Sequence, residues 1–195
     1  MAQENGSQTP LPVRIVVTGG VLSVMMYRNR STTADIDFYH GDYEVIEMIS
    51  EAKARNESKE MKLWPRNWIN AEMTAFINNV PGCEDLYNNS IQQDICIWRS
   101  EFLEVYAVDL RFQLVGKVER ACDLQRIPES VQSVERGTKD IEDSLCILSH
   151  LINMYQRPLR KAEVKRWYSS ILEEEHFTFI NRYYQERYGH EGIVD

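Results

Sequence analysis

The stretch VVTGGVLSVMMYRNRSTTADIDFYH, Val16 to His40, constrains the fold more than any other part of the chain. A β-branched run, Val13 to Thr18, ends in Gly19-Gly20, the punctuation expected where a strand gives way to a turn. Val21 to Asn29 follows with helical composition and apolar residues on most sides, as a buried helix requires. A polar turn then leads into a second strand-like run, Asp35 to His40. Side chains alternate faces along a strand, so Asp35 and Asp37 project together with Ile36 opposite them. Two like charges so close repel unless something positive lies between them. Mg²⁺ suits that place, because it takes one or two carboxylates and completes its shell with substrate phosphates. Glycines before a helix let backbone approach a phosphate and leave N–H donors free. Taken singly, Asp35 reads equally well as a turn cap and Asp37 as an exposed strand residue; the combination is what carries information.

The rest of the chain divides into a mixed part and a helical part. Residues 1–12 read as a flexible polar lead-in. Asp42 to Glu60 has apolar residues at 45, 46, 48 and 49 followed by charges, the pattern of a surface helix. A second helix starts at Asn70-Ala71-Glu72-Met73 and stops near Pro81-Gly82. Gln92 to Glu101 and Phe102 to Asp109 are strand candidates joined by a hairpin turn at Arg99-Ser100-Glu101. From Leu110 onward the pattern is helical throughout, with helices over 109–126, 137–155, 160–175 and 177–189, the first three separated by Pro128 and Pro158. The expected organisation is a core over 13–109 and an all-helical region over 110–195 packed on it. The fold class is α/β (α+β), a mixed sheet flanked by helices.

Charge and cysteine usage narrow the setting. The formal net charge of −8 argues against a broad electrostatic grip on nucleic acid. Cys83, Cys96, Cys122 and Cys146 form no CxxC pair and have no neighbouring histidine, which points to free thiols in a reducing, cytoplasmic setting. No apolar run approaches 18 residues, so no membrane span is expected. His40, His150, His176 and His190 lack ligand spacing, and Trp64, Trp68 and Trp98 read as core residues. The aromatics of 177–188 either pack a terminal helix onto the body or pair two copies in a homodimer.

TGGVLSVMMYRNRSTTADIDF resembles the signature of the nucleotidyltransferase fold, the superfamily of DNA polymerase beta: two small residues, a helix, then DxD. Arg30 to Thr33 ahead of the aspartates is similar to the R-x-T-x-D-x-D form of minimal bacterial and fungal members, the AbiEii-type toxin nucleotidyltransferases among them. NWINAEM, LEVYAVDLRFQLVGKVER and RGTKDIEDSLCIL are similar to later segments of that group, so the likeness runs from Arg14 to Leu151. The resemblance implies a Mg²⁺-dependent transfer of a nucleotide or phosphoryl group from a nucleoside triphosphate. The acceptor would be an RNA or tRNA end, a protein or a small molecule. It implies metal binding by Asp35 and Asp37, phosphate binding by Gly19, Gly20 and Arg30, and a catalytic set completed by Lys117 and Asp140. The third carboxylate of the polymerase members could be Glu104 or Asp109. Arg120, one turn on from Lys117, could assist it; without the resemblance, Lys117 reads as a lysine snorkelling to water, Arg120 as a solvated arginine, and Asp140 with Asp143 as charges favoured at a helix start. A catalytically degenerate member, acting as a nucleotide-binding or protein-interaction module, is the alternative.

Overall fold

The structure is a computed structural model that describes residues 11–57, 68–127 and 130–195. Most of the flexible lead-in, the end of the 42–60 helix, Trp64 and Pro128 lie outside the described residues.

Val13–Thr18 forms β1, and its residues Val13, Ile15, Val16 and Val17 are buried. A run so uniformly apolar belongs at the centre of a sheet covered on both faces. β1 lies between β2, Ile36–Tyr39, and β5, Leu103–Ala107, antiparallel to the first and parallel to the second. With β3, Ile69–Asn70, and β4, Cys96–Arg99, the sheet has the order β3-β2-β1-β5-β4. The helices of this half are α1, Gly20–Met25; α2, Tyr43–Glu57; α3, Glu72–Ile77; and α4, Leu86–Gln92.

The second half is built on α5, Leu110–Arg126, and α6, Val131–Tyr155. Buried residues recur on α5 at Leu110, Leu114, Val118 and Ala121 and on α6 at Ile141, Leu145 and Leu148, the three-and-four spacing that makes one apolar stripe per helix. Further along come α7, Lys161–Val164, and α8, Glu174–Tyr188. Phe177, Ile180 and Tyr184 of α8 are buried in the same core, so the aromatic stripe packs its helix onto its own chain. Ser130 caps α6 reciprocally with Ser133.

Two apolar cores result, one of residues from Val13 to Val108 and one from Leu110 to Ile193; Met26, Tyr27, Ile95 and Tyr168 pack against both. The C-terminal part is helical, with one correction to the all-helical expectation. Leu159–Arg160 (β6) and Ile193–Val194 (β7) pair as a short parallel ladder, registered by Asn181, which receives the Gly192 and Ile193 N–H groups and donates to the Ile193 carbonyl. Tertiary pinning of two residues leaves no periodic trace in a sequence. The helix expected over 160–175 is only α7. Tyr168 and Ser169 both take positive φ (47° and 51°), and they are held there by Tyr168 donating to Asp109 and Ser169 to the Pro81 carbonyl. Trp98, expected in the core, is exposed on the edge strand β4.

Asp109 joins the halves. It is 1% exposed and caps α5 by accepting from the Arg111 N–H at 2.8 Å. It also ion-pairs with the Arg111 guanidinium and receives the Tyr168 hydroxyl at 2.7 Å. Its own N–H donates to buried Ser90 of α4. Asp109→Ala strands two half-buried donors and uncaps a helix start, and is expected to lower the unfolding free energy by about 2–4 kcal/mol, measured by urea denaturation.

Candidate functional site

The carboxyl end of β1 is the meeting point. Thr18 pairs with Asp37 across the β1–β2 ladder, and Gly19 follows with φ 73° and ψ −141°, a conformation open to glycine and costly for other residues. A Cβ on Gly19 would lie 3.0 Å from Asp37 Oδ2, and one on Gly20 would lie 2.3 Å from Thr33 Oγ1. Both glycines therefore have a packing reason inside the chain, namely close approach of the loop that carries Asp35. At six residues α1 is short, and Gly19 brings no side-chain cap.

Asp37 is half-buried and Asp35 exposed, with β2 beginning between them at Ile36. Asn70 donates to Asp37 Oδ1 at 3.0 Å, and its own carbonyl oxygen is fixed by the Glu72 N–H at 3.1 Å. Thr33 donates to the Asp35 carbonyl at 3.1 Å and so folds the approach to the strand. Burial pushes the Asp37 carboxyl up, and the negative charges of Asp35 and Glu72 push the same way; the Asn70 hydrogen bond and the Arg120 charge oppose them. Among the described residues no group of three or more His, Cys, Asp or Glu side chains is assembled for a metal, so a metal here would rest on the Asp35 and Asp37 pair.

A network of five charged side chains joins α5, α6 and the loop that leads to Asp35. Lys117, with only 7% of its side chain exposed, donates to Asp140 at 3.0 Å and to Asp143 at 2.6 Å. Arg120 grips Asp140 with two parallel bonds, Nε to Oδ2 at 2.6 Å and Nη2 to Oδ1 at 2.8 Å. Arg30 reaches from the loop before Asp35 to Asp143 at 2.5 Å and to the Lys139 carbonyl at 3.2 Å, and Asn29 donates to the other Asp143 oxygen at 2.9 Å. Burial works against the Asp140 charge, yet the Arg120 and Lys117 contacts prevail and hold its carboxyl below the usual range.

The structure thus brings Gly19 against Asp37, and Lys117 against Asp140. It sends Arg30 to Asp143 and leaves Asp35 at the surface. Arg120, Asp143 and Asn29 were not among the expected site residues. Asp143 did have a signal. It falls on the inward face of an amphipathic helix whose neighbours Ile141, Ser144 and Leu145 are buried, and a carboxylate at such a position demands a cation. Of the two candidates for a third carboxylate, Glu104 lies at the far end of β5 opposite Arg14, bound by Arg14, Arg99 and Tyr106. Asp109 is taken up by Arg111 and Tyr168.

Fold and site together define a mixed α/β protein in which Asp37 packs against the glycine turn after the central strand and a cation–carboxylate network ties α5 to α6 and to the loop before β2. The chain belongs to the family described as a domain of unknown function, DUF7582, whose profile matches residues 8–191. No curated protein and no solved structure matches it. Among the described residues no helix is long and apolar enough to cross a membrane, and Cys83, Cys96, Cys122 and Cys146 are free thiols.

The Asp37 shift has a defined consequence for stability. A carboxyl raised by folding favours the protonated form, a contribution complete below the ordinary carboxylate range and lost as pH rises through the raised value. At neutral pH the Asp37 charge is therefore destabilising. Asp37→Asn, which keeps an acceptor for Asn70, is expected to melt above the wild type at neutral pH. The difference should shrink as pH falls towards about 4, followed by circular dichroism across the pH range.

Proposed function

We propose that the chain binds a nucleoside triphosphate through Mg²⁺ and transfers a nucleotide or phosphoryl group from it to an acceptor, as a nucleotidyltransferase. One observation carries the proposal: Asp37 packs against Gly19 of the β1–α1 turn, and the charges of Asp35 and Arg120 both act on it. The carboxylates suit the metal and the cations suit the phosphates. Mg²⁺ fits the donor set, because Asp37 Oδ2 accepts no hydrogen bond from a described residue while Oδ1 is held by Asn70, and because a cation would offset the burial and the neighbouring negative charges that raise Asp37. Bound there, the ion would offset charge developing on the phosphates during an in-line displacement.

The chain's own part is positioning. Asn70 sets the plane of the Asp37 carboxylate. Thr33 and the glycine pair bring the Asp35 loop close to β1. Arg30, anchored on Asp143, keeps that loop against α6. The acceptor is an RNA or tRNA end, a protein or a small molecule, and the net charge of −8 favours a short or small one. Free thiols fit a cytoplasmic setting. A second reading, a nucleotide-binding module without transfer, draws on the burial of Lys117 and Asp140 against each other, which leaves neither exposed to act on a substrate.

The test has two stages. Calorimetric titration of ATP is expected to show binding that requires Mg²⁺ and is abolished in the folded double variant Asp35→Asn, Asp37→Asn; unchanged binding in that variant refutes the site. Incubation with nucleoside triphosphate labelled at the α-phosphate, together with RNA, protein or small-molecule acceptors, then separates transfer from binding alone.

A further inference from the structure

We infer that Arg120 is the side chain that contacts the ligand's phosphates, and that Asp140, Lys117 and Asp143 are positioning residues behind it. This rests on the triphosphate reading above and assigns its cationic half to a different residue. The three cations of the network differ in what they have left to offer. Lys117 has almost no accessible surface, and both of its contacts are to buried carboxylates. Arg30 is 23% exposed at its side chain and is committed to Asp143 and the Lys139 carbonyl. Arg120 is 43% exposed, and its Nη1 donates to no described residue. One edge of its guanidinium is fixed on Asp140 while the remaining N–H groups face outward.

That arrangement is a fork pre-set for an anion. An arginine held bidentately loses little freedom when it takes a phosphate oxygen with its free nitrogen. Asp140, 3% exposed, can hold the fork still because Lys117 is bonded to the same carboxylate. Lys117 is in turn braced by Asp143, which also takes Asn29 and Arg30 from the loop leading to Asp35. The charges of Arg120 and Asp37 act on each other. A metal–phosphate ligand would therefore meet carboxylates on one side and the Arg120 fork on the other. Charge count agrees. Lys117, Arg120 and Arg30 against Asp140 and Asp143 leave one positive charge over, and Arg120 is the member with the surface to present it.

The test is calorimetric titration of the full chain with two probes, inorganic tripolyphosphate without metal and Mg²⁺–ATP. Arg120→Gln is expected to weaken both by about tenfold or more, the loss of one charge-assisted contact, and to lower the melting temperature because buried Asp140 loses a partner; affinity is therefore read on the folded variant. Arg120→Lys, which keeps the charge without the fork, is expected to recover part of the loss. Lys117→Met is expected to lower the melting temperature and to weaken binding less than Arg120→Gln. Wild-type affinity for both probes in folded Arg120→Gln overturns the inference and leaves the proposed function standing. A Lys117→Met protein that melts like the wild type and loses as much affinity as Arg120→Gln overturns the division of roles. If Lys117→Met does not fold, the Gln and Lys variants of Arg120 decide alone. A folded wild type that binds neither probe removes the proposed function and the inference with it.

Discussion

An ammonium group held between two carboxylates inside a helix pair organises the helical half of this protein. Burying Lys117, Asp140 and Asp143 is costly in desolvation, and such a cluster is tolerated only when every member finds partners. Here the partners come from separate parts of the chain. Lys117 and Arg120 rise from α5, Asp140 and Asp143 from α6, and Asn29 and Arg30 from the loop before β2. A hydrophobic isostere could pack the two helices together, but it could not recruit the loop. The ion cluster therefore ties the position of the carboxylate pair to the register of α5 on α6.

Much of the sheet half was legible in the sequence because its signals are local. A β-branched run ending in two glycines located β1, and alternation with a polar turn located β4 and β5. The carboxylate spacing located the entry to β2. What could not be read depended on distant partners. α4 is rich in Asn and Gln and is a helix because buried Leu86 and Ser90 meet the sheet and Asp109. α6 begins at Val131, well ahead of the expected Gly137, because that glycine is no breaker. A Cβ there would lie 3.3 Å from Leu124 Cβ, so Gly137 is where α5 passes closest.

The candidate site divides in the same way. Gly19, Asp37 and the Lys117–Asp140 contact follow from short motifs and from the resemblance they support. Arg120 could not be told from a solvated arginine, since its distinguishing feature is a carboxylate 20 residues away on the facing helix. Asp143 looked like a helix-start charge because the true start of α6, capped by Ser130, lies three turns earlier. Arg30 was assigned to phosphate by its nearness to the DxD, whereas its bond to Asp143 makes it a strut between loop and helix.

The Asp109 junction gives the helical half a mechanical character. α5 is fixed at its first residue, where Asp109 is bonded to α4, to Arg111 and to Tyr168, and Arg120 lies about 16 Å further along the helix axis. α5 and α6 share an apolar seam and an ion cluster, so a displacement of one about the end of β5 would carry the other with it. A tilt of about 10° about that point would carry the Arg120 end by about 3 Å, the length of a hydrogen bond. Tyr168, held in a left-handed conformation and bonded to Asp109, braces the first turn of α5 from the segment after α7.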